Sequence, residues 1–483
     1  MALRHSMRDM IILIPGIMGS VLEQRGNELW SMPRIIGPGL LGNTAVFQPL
    51  YLIADHDADP ERELLPDGVR ATRLMTGIHG IHGLMLGEGY QQISDTILRT
   101  FDVVLGSRES DAPANFFHLP YDWRRDNRAA AHRLKRLLDT QLPRWQAATT
   151  TAARVILIGH SMGGLVARYY LEALGGWEHC RALFTFGTPH RGSLNALDSL
   201  CNKHTLGAAD LTELVRSFSS AYQLLPIYPS IWVGDRLCRA AEMEALPDVD
   251  HQRVAAGRAF HLEIKDYTAK RHPELSIRIY PIAGTHQPTS QSAFLTDTGK
   301  VEISANLPKE LPANQDSAWI RDGDGTVPYL AALPIEPPKV QRRLRYAEKH
   351  AWLPNNRRAL DDLCQELVEM QLDDYIQEFE GELGVRANEP ALSLNLPNLH
   401  LGEQPLRVSA RIENQLEDPE GVLLTLASAD TGAVIERELE AIDGGWGSEF
   451  TNLPSGVYTV TLQTYAGGPL APQAVHDVLE IVA

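Results

Sequence analysis

Cysteine is scarce. The chain of 483 residues holds four, Cys180, Cys201, Cys238 and Cys364, with no C-x-x-C spacing among them. That pattern argues against a zinc site or a disulfide framework and fits a reducing compartment. No apolar run approaches the roughly 20 residues a membrane-spanning helix requires. Basic charge is also short: 44 Lys and Arg against 61 Asp and Glu leave a formal charge of −17. A basic patch for nucleic acid is therefore not expected. An anionic membrane would repel the chain as a whole, leaving room only for a local, transient contact with a lipid surface. Internal repeats and low-complexity tracts are absent. The start, MALRHSMRDMIILIPG, has basic residues before an apolar run. But Asp9 interrupts the approach, the run is short, and Pro15-Gly16 follows without an A-x-A site. It reads as a first strand, Met10 to Ile14, rather than a signal peptide, and a cytoplasmic location is expected.

What the chain does have is concentrated in RVILIGHSMGGLVARYYLEAL, Arg154 to Leu174. Val155 to Ile158 form a short apolar, β-branched run, the mark of a buried parallel strand. Gly159-His160-Ser161-Met162-Gly163 follows, and then Leu165, Val166, Tyr169, Tyr170 and Leu171 at helical spacing. Strand, G-x-S-x-G and helix form a nucleophile elbow, which lifts the Ser161 hydroxyl above the end of a sheet. The helix N-terminus beside it favours a developing oxyanion.

The rest of the chain supplies partners for this serine. PGIMGSVLE, Pro15 to Glu23, follows the first strand, where an α/β-hydrolase takes an oxyanion N–H; Ile17 is the candidate donor, against a plain turn. RDGDGTVP, Arg321 to Pro328, places a carboxylate in a tight loop and lacks the ligand spacing of a calcium-binding EF-hand. His350 stands just after a last strand, Leu344 to Ala347. Ser161, Asp324 and His350 follow the Ser…Asp…His order of α/β-hydrolases. His190 comes too soon after the nucleophile to be the base and reads as a loop residue near the mouth of the site. His286 reads as polar surface.

Between these landmarks, the region from Gly26 to Gly83 is irregular and reads as a packed loop or a cover. A helix from Tyr90 leads to a strand at Asp102–Leu105. HLPYDWRR, His118 to Arg125, is a structural pivot or a groove lining, with structure favoured. Arg128 to Trp145 is a basic amphipathic helix packed beside the sheet. From Leu194 to about Arg258 the chain reads as helical without clear strands, as a cap or lid inserted over the pocket. SSAYQLLP, Ser219 to Pro226, would supply its apolar underside. A helix through Leu360, Leu367 and Phe379 closes the domain. Beyond a linker the period changes to two, as in Leu392-Leu394-Leu396 and Val422-Leu424-Leu426, with Gly-rich and Pro-rich turns between runs. The expected architecture is an α/β-hydrolase fold over residues 1–384, a mostly parallel sheet with helices on both faces and a lid insertion at about 194–258. A small all-β, immunoglobulin-like sandwich over 388–483 follows. That sandwich has no Ser/His/Asp cluster. Its acidity suits solubility or docking to a basic protein partner.

In combination the motifs resemble the lecithin:cholesterol acyltransferase family, which includes lysosomal phospholipase. IILIPGIMGSVLE, PYDWRR, GHSMGG, FGTPHRGS, SAYQLLP and GDGTVP occur in the family's order over roughly residues 9 to 370. The sandwich lies outside that pattern. The resemblance implies Ser161 as nucleophile, Asp324 rather than Asp322 as the acid and His350 as base, with Ile17 and Met162 as backbone oxyanion donors. It implies a lipid acyl ester as substrate, in hydrolysis or in transfer to an alcohol, with no metal or organic cofactor. A generic carboxylesterase and a binding protein with a vestigial hydrolase domain are the alternatives.

Overall fold

The computed structural model describes residues 4–482 except 32–33, 36–42, 54–56, 76–78, 82–83, 87–88, 108–109, 207–208, 244–245, 272–276, 310–317, 336–342, 372–390, 403, 414–420, 466–471 and 473. Its central sheet has six strands: β1 (Met10–Ile14), β2 (Phe116–His118), β3 (Val155–His160), β4 (Cys180–Phe186), β5 (Arg278–Gly284) and β6 (Leu344–Tyr346). All pair in parallel, in the order β2-β1-β3-β4-β5-β6. Every residue of β1 and β3 is buried, so these strands show a continuous apolar run rather than alternation. Ile12 and Leu157 face a core built with α2 (Asn127–Thr149), α3 (Met162–Ala173) and α4 (His251–Lys270). Ile11, Leu13, Ile156 and Ile158 face the opposite core, with α1 (Gln91–Thr100) and α5 (Arg357–Gln371). Each such side chain stabilises the fold by about 1.5–3 kcal/mol. The strand order reverses direction between β1 and β3, and the crevice beyond that switch is where open α/β sheets bind ligands. This is an α/β-hydrolase fold with a β domain.

Three local expectations change. The strand expected at Asp102–Leu105 is only fragmentary: Phe101–Asp102 pairs in parallel with His5–Ser6, and Leu105 makes a single parallel bridge to Phe116. The full strand on that side of the sheet is β2, which was not expected. Three residues before a proline carry too little pattern to announce a strand. The region from Leu194 to Arg258 does contain strands. Ile231–Val233 pairs with Arg236–Cys238 and with Ser292–Leu295, and Thr205–Leu206 pairs with Ala209–Asp210. Finally, Ala221, Tyr222, Leu224 and Leu225 of SSAYQLLP are buried in the main core rather than lining a cover. Ser220 ties them down, its N–H donating to the Arg124 carbonyl and its hydroxyl to the Trp123 carbonyl.

The C-terminal strands are β7 (Ala391–Asn395), β8 (Leu399–Leu401), β9 (Leu406–Glu413), β10 (Val422–Ser428), β11 (Val434–Ile442), β12 (Gly445–Phe450), β13 (Gly456–Thr464) and β14 (Val475–Val482). Their order is β7-β9-β12-β11-β10-β13-β14-β8, antiparallel except for β8 with β14. The first part of β11 pairs with β10 and its last residues pair with β12, so one strand serves both halves. Leu392, Leu394, Val422, Leu424, Leu426, Val460 and Leu462 fill the space between. The expected boundary at 384–388 lies outside the described residues.

The two parts meet over polar contacts, some buried and one, Arg411 with Asp322, partly exposed. The Gln287 side-chain amide donates to the Leu392 carbonyl at 3.0 Å and accepts from the Leu394 N–H at 3.3 Å. Lys349 pairs with Asp477 at 3.2 Å, and Arg411 with Asp322 at 3.7 Å. The Trp352 and His476 rings lie 5.2 Å apart. Glu348 sits inside this contact. Burial pushes its carboxyl up to about 8, aided by nearby Asp477 and opposed by hydrogen bonds from Lys349 N–H, the Asn356 amide and His476 N–H. Burial likewise raises Glu480 to about 7. A carboxyl raised above its unfolded value holds its proton longer in the folded chain. Its contribution is complete below about pH 4.5 and is lost as pH climbs to about 8. The urea midpoint should therefore fall over that range, and Glu348→Gln should flatten the fall. Parallel curves for the two proteins would contradict this assignment.

Candidate active site

β3 ends at His160 and α3 begins at Met162, leaving Ser161 at the turn with φ 52° and ψ −126°. A non-glycine backbone in this region costs on the order of 1–3 kcal/mol and persists only when its surroundings fix it. Here the Ser161 N–H donates to the Phe186 carbonyl at the end of β4, at 2.8 Å. The first turn of α3 also lies hard against the end of β1. A Cβ on Gly163 would stand 2.4 Å from the Pro15 carbonyl oxygen and 2.5 Å from that of Ile14.

The structure brings Ser161, His350 and Asp324 into one hydrogen-bonded chain, across separations of 189 and 26 residues. Ser161 Oγ lies 2.9 Å from His350 Nε2, and His350 Nδ1 lies 2.7 Å from Asp324 Oδ2. A carboxylate only accepts, so Nδ1 carries the hydrogen and Nε2 is left to accept from the Ser161 hydroxyl. The other Asp324 oxygen accepts from Thr326 N–H at 2.9 Å and Val327 N–H at 2.6 Å, and the Asp324 carbonyl accepts from His350 N–H at 2.8 Å. Gly187, at φ 56°, lies against the Asp324–His350 bond. A Cβ there would be 2.9 Å from both Asp324 Oδ2 and His350 Nδ1. All three side chains are buried, which strengthens every charge interaction among them.

Ile17 and Met162 stand on the two turns that flank this chain, one after β1 and one at the first residue of α3. The Ile17 turn is held by aromatic donors and a tyrosine hydroxyl. Tyr121 OH donates to the Pro15 carbonyl at 2.9 Å, Trp30 Nε1 to Met18 at 3.1 Å and Trp123 Nε1 to Ser20 at 3.0 Å. Gly16 N–H donates to Tyr90 OH at 2.7 Å. Trp30 and Phe218 each pack edge to face on Trp123, at centroid distances of 5.3 and 5.4 Å. The PYDWRR segment is held in place by these contacts, and Tyr121, Asp122 and Arg125 also line a cavity. Arg124 of this segment is fully buried, bound to Asp122 at 2.6 Å, Asp67 at 3.0 Å and the Leu50 carbonyl at 3.2 Å.

Two residues of this network had no role assigned from the sequence. Tyr90 OH is 2.9 Å from His160 Nδ1, and His160 Nε2 is 3.1 Å from the His350 carbonyl. The carbonyl can only accept, so His160 is protonated at Nε2 and Tyr90 donates to Nδ1. Burial, then the neighbouring His350, lowers His160 to about 3, so it stays neutral. His160 was visible inside GHSMGG, but Tyr90 carries no local signal. His190 lies in a loop after β4 as expected, whereas His286, expected as polar surface, is not at the surface. His190 and His286 are both buried. His190 Nε2 lies 3.3 Å from Thr185 Oγ1, and His286, at φ 61°, lies 3.0 Å from Thr285 Oγ1. Asp322 pairs with Arg411 of the sandwich instead of His350. Among the described residues no group of three or more His, Cys, Asp or Glu side chains is placed to hold a metal ion. No helix among them is long and apolar enough to cross a membrane.

Residues 104–243 match the family model of lecithin:cholesterol acyltransferase. The match spans the PYDWRR segment, the Ser161 turn and part of the following insertion, and it bears out the likeness read from the motifs. None of the curated proteins matches the chain. Among solved structures, the Bacillus licheniformis lipase BlEst2 in its propeptide form is 10% identical over 98% of this chain and 93% of its own, with a TM-score of 0.30. The mature form of that lipase is 13% identical over 76% and 95%, also at 0.30. A CARDB domain from Pyrococcus furiosus is 8% identical over 21% of this chain and 95% of its own, with a TM-score of 0.15.

Tyr90→Phe removes the one hydroxyl that serves both Gly16 N–H and His160 Nδ1. Leaving buried polar groups unpaired should cost about 1–3 kcal/mol of stability. Urea unfolding measures it, and an unchanged midpoint would show that the hydroxyl is dispensable.

Proposed function

We propose that the chain is a serine-dependent hydrolase or acyltransferase acting on lipid acyl esters. The observation that carries this reading is the Ser161–His350–Asp324 hydrogen-bonded chain at the C-terminal end of a parallel sheet. Ser161 Oγ attacks the acyl carbonyl while His350 Nε2 takes its proton. Asp324 holds the imidazole tautomer and stabilises the imidazolium that forms. The N–H groups of Met162 and Ile17 receive the developing oxyanion, Met162 with the added field of the α3 N-terminus. The tetrahedral intermediate collapses, His350 returns the proton to the departing alcohol, and an acyl-enzyme remains on Ser161. Water or a second alcohol, deprotonated by the same histidine, then releases the acyl group. The lipid class of the substrate is supported by the likeness to a family named for acyl transfer involving lecithin and cholesterol.

A fluorophosphonate probe should label the wild type at Ser161 and leave Ser161→Ala unmarked. Turnover of a p-nitrophenyl ester should fall by about 10⁴ or more in Ser161→Ala. Ser161→Ala with His350→Ala should be little worse than the single variants, because the two act as one unit. Near wild-type turnover in Ser161→Ala would overturn the nucleophile assignment. Each buried methylene contributes about 0.8 kcal/mol, so kcat/KM should rise from acetate to medium-chain and long-chain esters. Phospholipid vesicles should release fatty acid. A preference for acetate with no release from any phospholipid or glyceride would remove the lipid assignment and leave a plain esterase.

A further inference from the structure

The sandwich touches the hydrolase body at the two loops that deliver Asp324 and His350. Gln287 makes the first connection. Its side-chain amide binds the carbonyl of Leu392 and the N–H of Leu394, a spacing of two along β7. A neighbouring strand would offer the same pair of groups, so this amide caps one edge of the sandwich. The backbone of Gln287 is simultaneously bridged to Gly323. Its N–H donates to the Gly323 carbonyl at 3.0 Å, and Gly323 N–H donates back at 3.2 Å. The Gln287 carbonyl also accepts from Thr289 Oγ1, which in turn accepts from Gly325 N–H at 2.8 Å. Both residues flanking Asp324 are therefore fixed through Gln287, which is wholly buried.

The second connection reaches the other loop. Lys349, immediately before His350, pairs with Asp477 near the start of β14 at 3.2 Å. That pair is largely shielded from water, with Lys349 14% and Asp477 2% exposed at the side chain. The Lys349 carbonyl accepts from Trp352 and Leu353 N–H groups, so the cation, the base loop and the ring that packs on His476 are tied together by backbone hydrogen bonds.

We propose that the β-sandwich is a positioning element of the active site, holding the acid loop through Gln287 and the base loop through the Lys349–Asp477 pair. The proposal rests on the roles given above to Asp324 and His350. None of these residues touches the reacting atoms. They set where the carboxylate and the imidazole stand, and a shift of a fraction of an ångström there weakens the transition state more than it weakens substrate binding.

The test uses the full chain and a soluble medium-chain p-nitrophenyl ester. Gln287→Met keeps the volume and removes both amide bonds, and Lys349→Ala removes the cation. Each should lower kcat by about tenfold with KM within about twofold, and should slow fluorophosphonate labelling of Ser161 in proportion. Lys349→Arg keeps the charge and should restore most of the lost kcat. Asp477→Asn should reproduce Lys349→Ala, and the two together should be no worse than either alone. Val434→Thr, on an exposed part of β11 away from both loops, should leave kcat unchanged. Should Gln287→Met fail to fold, the Lys349 and Asp477 variants decide alone. Folded variants that unfold at lower urea yet keep wild-type kcat and labelling rate would make the sandwich a stabiliser only and overturn the proposal. Turnover surviving in Ser161→Ala would instead overturn the reading on which it rests.

Discussion

The constraint on which the site depends is the backbone of Ser161. At φ 52° and ψ −126° it occupies a conformation that a residue with a side chain resists. Its support comes from both sides of the sheet's switch point. The end of β4 accepts its N–H, and the end of β1 presses on the first turn of α3. The β1 turn is in turn immobilised by Tyr90, Tyr121, Trp30 and Trp123, and Tyr90 runs on through His160 to the carbonyl of His350. Strain at one residue is thus offset by hydrogen bonds drawn from regions far apart in sequence.

Much of this was legible in the sequence because some elements announce themselves locally. Fully buried parallel strands cannot alternate, so Met10–Ile14 and Val155–Ile158 read as plain apolar runs. The Ser161 turn declares itself through its glycines, and the sandwich through its period of two. Ser161 and His350 stand just after such strands, while Asp324 lies in a loop whose glycines and carboxylates, rather than a strand, drew notice. What stayed hidden depends on contacts without a local signature. Tyr90 gains its place only when residues 16, 90, 160 and 350 converge. Gln287 looks like any loop glutamine until the β7 edge arrives. The Phe116–His118 strand is too short to show a pattern, and the insertion after Leu194 borrows its strand partners from residues 292–295.

Charge is distributed by the same logic of burial. Several buried cations are matched by carboxylates. Arg124 answers Asp122 and Asp67, and Lys349 answers Asp477 between the two parts. Buried pairs of this kind contribute little net stability compared with apolar packing, but removing one partner is costly, so they fix geometry more than they add strength. In the case of Lys349, that places a fixed pair beside the loop of His350.

The contact between Glu348 and His476 spans 128 residues of chain, which gives the site a history as well as a shape. Translation runs from the N-terminus at roughly 5–20 residues per second. A ribosome that has just added Glu348 must work for roughly 6–26 s more before His476 exists. Throughout that interval the nascent chain owns its serine, its aspartate and soon its histidine, yet not the strand that braces the histidine loop. The strand that meets the His350 loop is thus made well after Ser161, Asp324 and His350 themselves.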